Sequence, residues 1–288
     1  MATATHTGNA DTALDRLTAR YSVEVTAKDK KGIEAARTML KPGVEVFVAN
    51  LPNDSMDRLV SACTQIAQGG ASPVPHMVSR NTASEAELDE TLRRLVGEAG
   101  ITRALVLGGD RDDPVGPFHQ SLQLIETGLF EKHGIRNLAI GIHPETHPRV
   151  PDEVMHPAQP VKIRAAEARG LDVYLVSQFA FEAQPYLDMA RRLRREGVTN
   201  PIRVGVAGPT SAGKLLKFAL MCGVGASLRA LREKQDLAGN MLTGETPEAL
   251  LRELAAAQAA EPELGFDSVH FFTFGALDKS VEFVEGLR

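Results

Sequence analysis

The chain has 288 residues, is 43% hydrophobic and carries a formal charge of -5 with a pI near 5.9. That is enough apolar material for a sizeable core in one domain, since a single α/β barrel takes about 250 residues. The scattered Lys and Arg form no basic stripe, which argues against nucleic acid as a partner, and Cys63 and Cys222 alone supply neither a disulfide framework nor a structural zinc site.

The first residues, MATATHTGNADT, lack the basic and apolar regions of a secretory signal, and no apolar run reaches the ~20 residues of a membrane span. A soluble, cytoplasmic protein is expected, with residues 1–18 as a flexible tail or short helix and one domain over 19–288. Apolar, β-prone runs follow at 21–26, 44–49, 72–78, 103–108, 137–142, 172–177, 202–207 and 268–274. Between them the spacing predicts helices over 53–68, 84–100, 118–132, 158–169 and 182–196, with Ser84 and Glu87 as a capping box. Three more helices, GKLLKFALMCG, ASLRALREKQ and TPEALLRELAAAQ, are expected between the seventh and eighth strands. Strand and helix alternating eight times read as a single-domain α/β fold, a (β/α)8 TIM barrel, with a doubly wound open sheet as the competitor.

In such a chain the strand ends converge on one face, so polar residues at the ends of apolar runs are the first candidates for function. Glu24 sits in the alternation Val23, Glu24, Val25 and points opposite to its apolar neighbours, toward a lumen if the sheet closes. A desolvated carboxyl there suits a general acid, although an interior charge can also simply be paired. His76 in VPHMV faces the same choice. GGDRDDP follows the fourth strand: Gly108 and Gly109 allow close backbone approach, Asp110 lies nearest the strand end, and Asp112 and Asp113 read as solvated charges.

HPETHP brings His143, Glu145 and His147 together, but Pro144 and Pro148 deny it the continuous helix that a zinc HExxH requires, so no metal is expected. GPTSAGK, residues 208–214, nearly reproduces a P-loop. Leu215 stands where a magnesium-ligating hydroxyl belongs, and the favoured reading is a turn at the barrel mouth whose following helix offers its amides to a polar ligand.

Taken together, VEV around Glu24, VPHMVS around His76, LVLGGDRDDP, HPETHP and VSQFAFEAQPYL around Gln178 resemble the methylenetetrahydrofolate reductase family over about Tyr21 to Arg288. The resemblance implies a cytoplasmic flavoprotein, an oxidoreductase of one-carbon metabolism and methionine biosynthesis. It would interconvert 5,10-methylenetetrahydrofolate and 5-methyltetrahydrofolate by hydride transfer through FAD, with NADH or NADPH as partner. It implies Glu24 and Asp110 as catalytic residues that also bind substrate, Gln178 as the folate-binding amide, and His76, Gly109, Asp110, Ser121, His143, Glu145 and His147 around FAD. Lys162, Arg164 and Arg111 are the cations that would have to replace two the family ordinarily places at the flavin phosphates. The alternatives are a folate-binding methyltransferase-type barrel without flavin and a divergent folate-binding barrel with no redox activity. Direction, coenzyme choice and assembly as a homo-oligomer stay open.

Overall fold

The computed structural model describes residues 5–287 apart from 53, 148, 223 and 225–245. Its strands close in sequence order into a parallel eight-stranded barrel: β1 Tyr21–Thr26, β2 Glu45–Ala49, β3 Ser72–Val78, β4 Arg103–Leu107, β5 Asn137–Ile142, β6 Asp172–Ser177, β7 Ile202–Ala207 and β8 Phe266–Phe272. This is the TIM barrel that the alternation of elements predicts, and closure rules out the open sheet. The helix predicted over 226–235 lies outside the described residues.

The chain divides into two compact units, one of residues 22–141 and 156–175, the other of the remainder. In the first, β1 to β4 pair side by side, with Glu24 opposite Phe47, Phe47 opposite Val74, and His76 opposite Leu105. The helices α2 Lys30–Met39, α3 Met56–Gln68 and α4 Glu85–Ala99 begin at Asp29, Ser55 and Ser84, whose side chains accept from the amides of Gly32, Arg58 and Glu87. Each cap satisfies an amide that has no partner inside the helix. The expected capping box is only half formed, because Glu87 Oε2 accepts from the Ala83 amide rather than from Ser84.

The helix expected over 118–132 is split into α5 Ser121–Glu126 and α6 Leu129–Lys132, because Gly128 adopts φ +75°, a left-handed conformation that no helix can continue through. The next helix, α7, spans Asp152–Glu167 and so starts six residues before the predicted boundary at 158. Asp152 and Glu153 in its first turn complement the helix dipole, and Pro157 and Pro160 lie inside it.

In the second unit, α8 Ala183–Arg195, α9 Ala212–Met221, α10 Glu248–Ala260 and α11 Leu277–Gly286 accompany β7 and β8. β8 is shifted two residues toward the N-terminus of its predicted range. It starts after Gly265 at φ +71° and has ended before Phe274, which turns to φ +49°. The pairing of β7 with β8 shifts register by one residue between Ile202 and Arg203, where Ile202 faces Phe266 and Arg203 faces Ser268. The N-terminal segment holds α1, Thr5–Thr18, which packs on α10 and β8, with Leu14 and Leu17 buried.

Burial of Leu14 at 1% exposure makes α1 part of the core rather than an appendage. Leu14→Ala should lower stability by about 2–4 kcal/mol, read from the midpoint of urea unfolding. An unchanged midpoint would show that α1 contributes nothing to the fold.

Candidate functional site

Strand alternation decides which side chains enter the barrel. β2 and β6 are four strands apart in a closed ring of eight, yet the Tyr174 hydroxyl of β6 reaches Glu45 Oε2 of β2 at 3.3 Å. Side chains on opposite strands can meet only through the interior, so Glu45 and Tyr174 face the lumen. Arg103 of β4 completes the group with an ion pair to Glu45 Oε1. The sequence carried the signal for this cluster, since Val44, Glu45, Val46 repeats the alternation around Glu24.

Period two puts Phe47 on the same face as Glu45. The ring of Phe47 meets His76 edge to face, with centroids 6.2 Å apart and planes at 75°. His76 Nε2 in turn lies 3.4 Å from Glu24 Oε2. Glu24, Phe47 and His76 thus form one constellation toward the C-terminal ends of β1, β2 and β3, with His76 buried and the Glu24 side chain 22% exposed. A carboxylate and an imidazole are residue types suited to proton transfer, and these two lie close to the reach it requires.

The loop after β4 is built by Arg80. Its guanidinium donates to the carbonyls of Arg111, Asp112 and His119, while the Ser79 hydroxyl and the Arg80 amide both donate to the Gly108 carbonyl. Gly109 is required there: it adopts φ +98°, and an added Cβ would lie 2.5 Å from Val78 Cγ1. Asp110 is exposed at the start of this loop, and Ser121 is buried at the first turn of α5.

A cavity of about 50 Å3 lies behind β2 and β3, lined by Asn50, Asp54, Met77, Asn81 and Thr91 among others. It has the scale of one or two waters and does not include Glu24 or His76. Burial pushes the Asp54 carboxyl up, but hydrogen bonds from Lys28, Arg58 and the Leu51 amide outweigh it and hold the carboxyl below its ordinary range.

In the second unit the chain leaving β6 is held by Tyr186. Its fully buried hydroxyl accepts from the Ala180 amide and donates to the Gly205 carbonyl, each at 2.6 Å. Burial pushes this phenol far above its ordinary range, the hydrogen bond from the Ala180 amide opposing and the charge of Glu145 adding to the rise. Gln178 follows β6 directly, and its Oε1 accepts from the Phe179 amide at 3.0 Å, which orients the amide NH2 as a donor. His143 and His147 stack edge to face at 4.8 Å, and His147 Nδ1 accepts from the Arg149 and Val150 amides. That ring nitrogen is committed to shaping the loop. The GPTSAGK segment leads into α9 as expected, with Lys214 Nζ 3.5 Å from the Phe274 carbonyl.

Sequence reading missed Phe47, Arg80, Tyr186 and Phe274, three aromatics and an arginine whose types are ordinary for a core or a surface. Only Phe274 departs from the rules visible in the backbone: among the described residues it is the one non-glycine with positive φ, a conformation worth roughly 1–2 kcal/mol of strain.

No family model matches the sequence. The fold is similar to that of a candidate lyase/mutase from Burkholderia cenocepacia J2315, with a TM-score of 0.50 and 15% identity over 98% of this chain and 84% of that one. It is similar to dihydropteroate synthase from Thermus thermophilus in complex with 6HMPPP, at 0.50 and 15% over 95% and 94%. A 2,3-dimethylmalate lyase of the PEP mutase/isocitrate lyase superfamily aligns at 0.49 and 11% over 96% and 85%. At these identities the likeness is one of fold.

These findings correct the family resemblance. The barrels this chain resembles are a lyase/mutase and a synthase, so membership in the methylenetetrahydrofolate reductase family, oxidoreductase activity, the flavoprotein reading, and FAD with NADH or NADPH are all set aside. The physical reason is that the matching pieces are short and lie at strand ends, where any parallel barrel gathers polar residues. Two of the three candidate cations for a flavin pyrophosphate are otherwise placed. Arg111 donates to Asn81 Oδ1 and to the Pro52 carbonyl, and burial pushes the Lys162 ammonium below its ordinary range.

Tyr186→Phe removes the hydroxyl that ties Ala180 to Gly205. It should cost about 1–3 kcal/mol in urea unfolding and speed hydrogen exchange at the Ala180 amide; unchanged exchange there would refute the tie. The lowered acidity range of Asp54 stabilises the fold above the ordinary carboxylate pKa of 3.8, and that contribution is lost as pH falls through the folded value. Asp54→Asn should therefore flatten the stability profile below pH ~4, as measured by thermal unfolding across pH.

Proposed function

We propose that this chain is a non-redox enzyme that binds a reduced pterin of the folate class without flavin and transfers a one-carbon group from it. The observation that carries this reading is the Glu24 and His76 pair, 3.4 Å apart inside the barrel and backed by the edge of Phe47. The dihydropteroate synthase in complex with 6HMPPP has the same fold, so a scaffold of this kind accommodates a ligand of that class.

The chemistry follows from what the pair can hold. A methyl group on pterin N5 leaves poorly while the nitrogen would depart as an anion. Protonation of N5 changes this: an acceptor thiolate attacks the methyl carbon, the C–N bond pair stays on nitrogen, and the pterin departs with a neutral N5–H. Glu24 supplies that proton and His76 holds the carboxyl in position and replenishes it, a role for which general acid catalysis gives about 10²–10⁴-fold. Asp110, on its Arg80-braced loop, is the proposed substrate contact.

Calorimetric titration with 5-methyltetrahydrofolate, followed by mass-spectrometric detection of methyl transfer to a thiol, tests this directly. Wild type should bind and transfer. Glu24→Gln should retain binding within about threefold while turnover falls at least about a hundredfold. Lack of pterin binding by the wild type, or full turnover by Glu24→Gln, would sink the proposal.

A further inference from the structure

We infer that Phe218, Phe272 and Phe274, with Lys214 at their edge, form a stacking platform for a planar, negatively charged heteroaromatic ring. Phe274 lies nearly parallel to Phe218, with centroids 4.5 Å apart and planes at 24°, and nearly parallel to Phe272 at 6.3 Å and 19°. Phe179 beneath them is buried and meets Phe274 edge to face at 5.4 Å, which anchors the group to the chain leaving β6. The three near-parallel rings remain half-exposed, unlike Phe179.

Two further features separate this group from ordinary core packing. Phe274 holds φ +49°, and strain of that kind in a bulky residue persists where surrounding structure enforces it, most often at ligand sites. Lys214 is exposed, and its ammonium sits 3.5 Å from the Phe274 carbonyl, placing a positive charge beside the aromatic run. A flat ring adds one more member to the run through offset stacking, and the ammonium selects a ligand with an anionic substituent.

The choice of a pterin as probe rests on the function proposed above. Fluorescence titration with pterin-6-carboxylate should saturate for the wild type. Phe274→Ala should weaken binding at least tenfold, and Phe274→Gly, which adopts φ +49° without strain, should do the same while unfolding at a temperature no lower than that of Phe274→Ala. Lys214→Ala should weaken pterin-6-carboxylate but leave uncharged 6-methylpterin unchanged. Saturable wild-type binding that survives both Phe274 substitutions would overturn the platform and leave the pterin reading standing. Lack of saturable wild-type binding would overturn both, and equal effects of Lys214→Ala on the two pterins would remove the charge selection.

Discussion

The structure depends on one constraint: in a closed parallel barrel every second side chain of a strand points into a lumen with little water, so a polar group placed there needs a partner. Glu45 meets this demand through Arg103 and Tyr174, and the reach from β2 to β6 shows that the pairing crosses the interior. Two residues further along β2, Phe47 fills the same face and shapes the surroundings of His76 and Glu24. The first group is saturated and structural. The second is a carboxylate beside an imidazole at 3.4 Å with part of Glu24 still open, which is what leaves it chemically useful.

Around this interior the loops are held by single side chains that bond to backbone. Arg80 gathers carbonyls from three positions in and after the glycine-rich turn, and Tyr186 joins the segment after β6 to β7. Such contacts do not depend on the sequence of the loop they hold, because they engage carbonyls and amides. The glycines are needed where the backbone turns through positive φ or meets a neighbour closely, as at Gly109 beside Val78.

The resemblance to a flavin-dependent family failed for a physical reason that applies to many barrels. Its motifs were three to twelve residues long and clustered at strand ends, and closure of a parallel sheet selects polar residues there whatever the reaction. A cofactor with a pyrophosphate makes a stricter demand, namely cations free to face it. Arg111 and Lys162 are respectively engaged by neighbours and desolvated, a distinction that composition cannot express.

The sequence by itself determined the eight strands, most helix positions and the α/β alternation, because period-two and period-3.6 patterning and glycine stops are local signals, whereas closure into a barrel came from the structure. It also singled out Glu24 and His76 as polar residues within apolar strands, facing a lumen if the sheet closes, since alternation is visible within six residues of chain. Tertiary structure alone decided that those two meet, that Glu45 is satisfied from across the lumen, that the 118–132 helix breaks at Gly128, and that Phe274 twists out of β8. Each of these depends on distances between segments far apart in the chain or on a backbone angle that neighbours impose, and neither quantity is written in the order of residues.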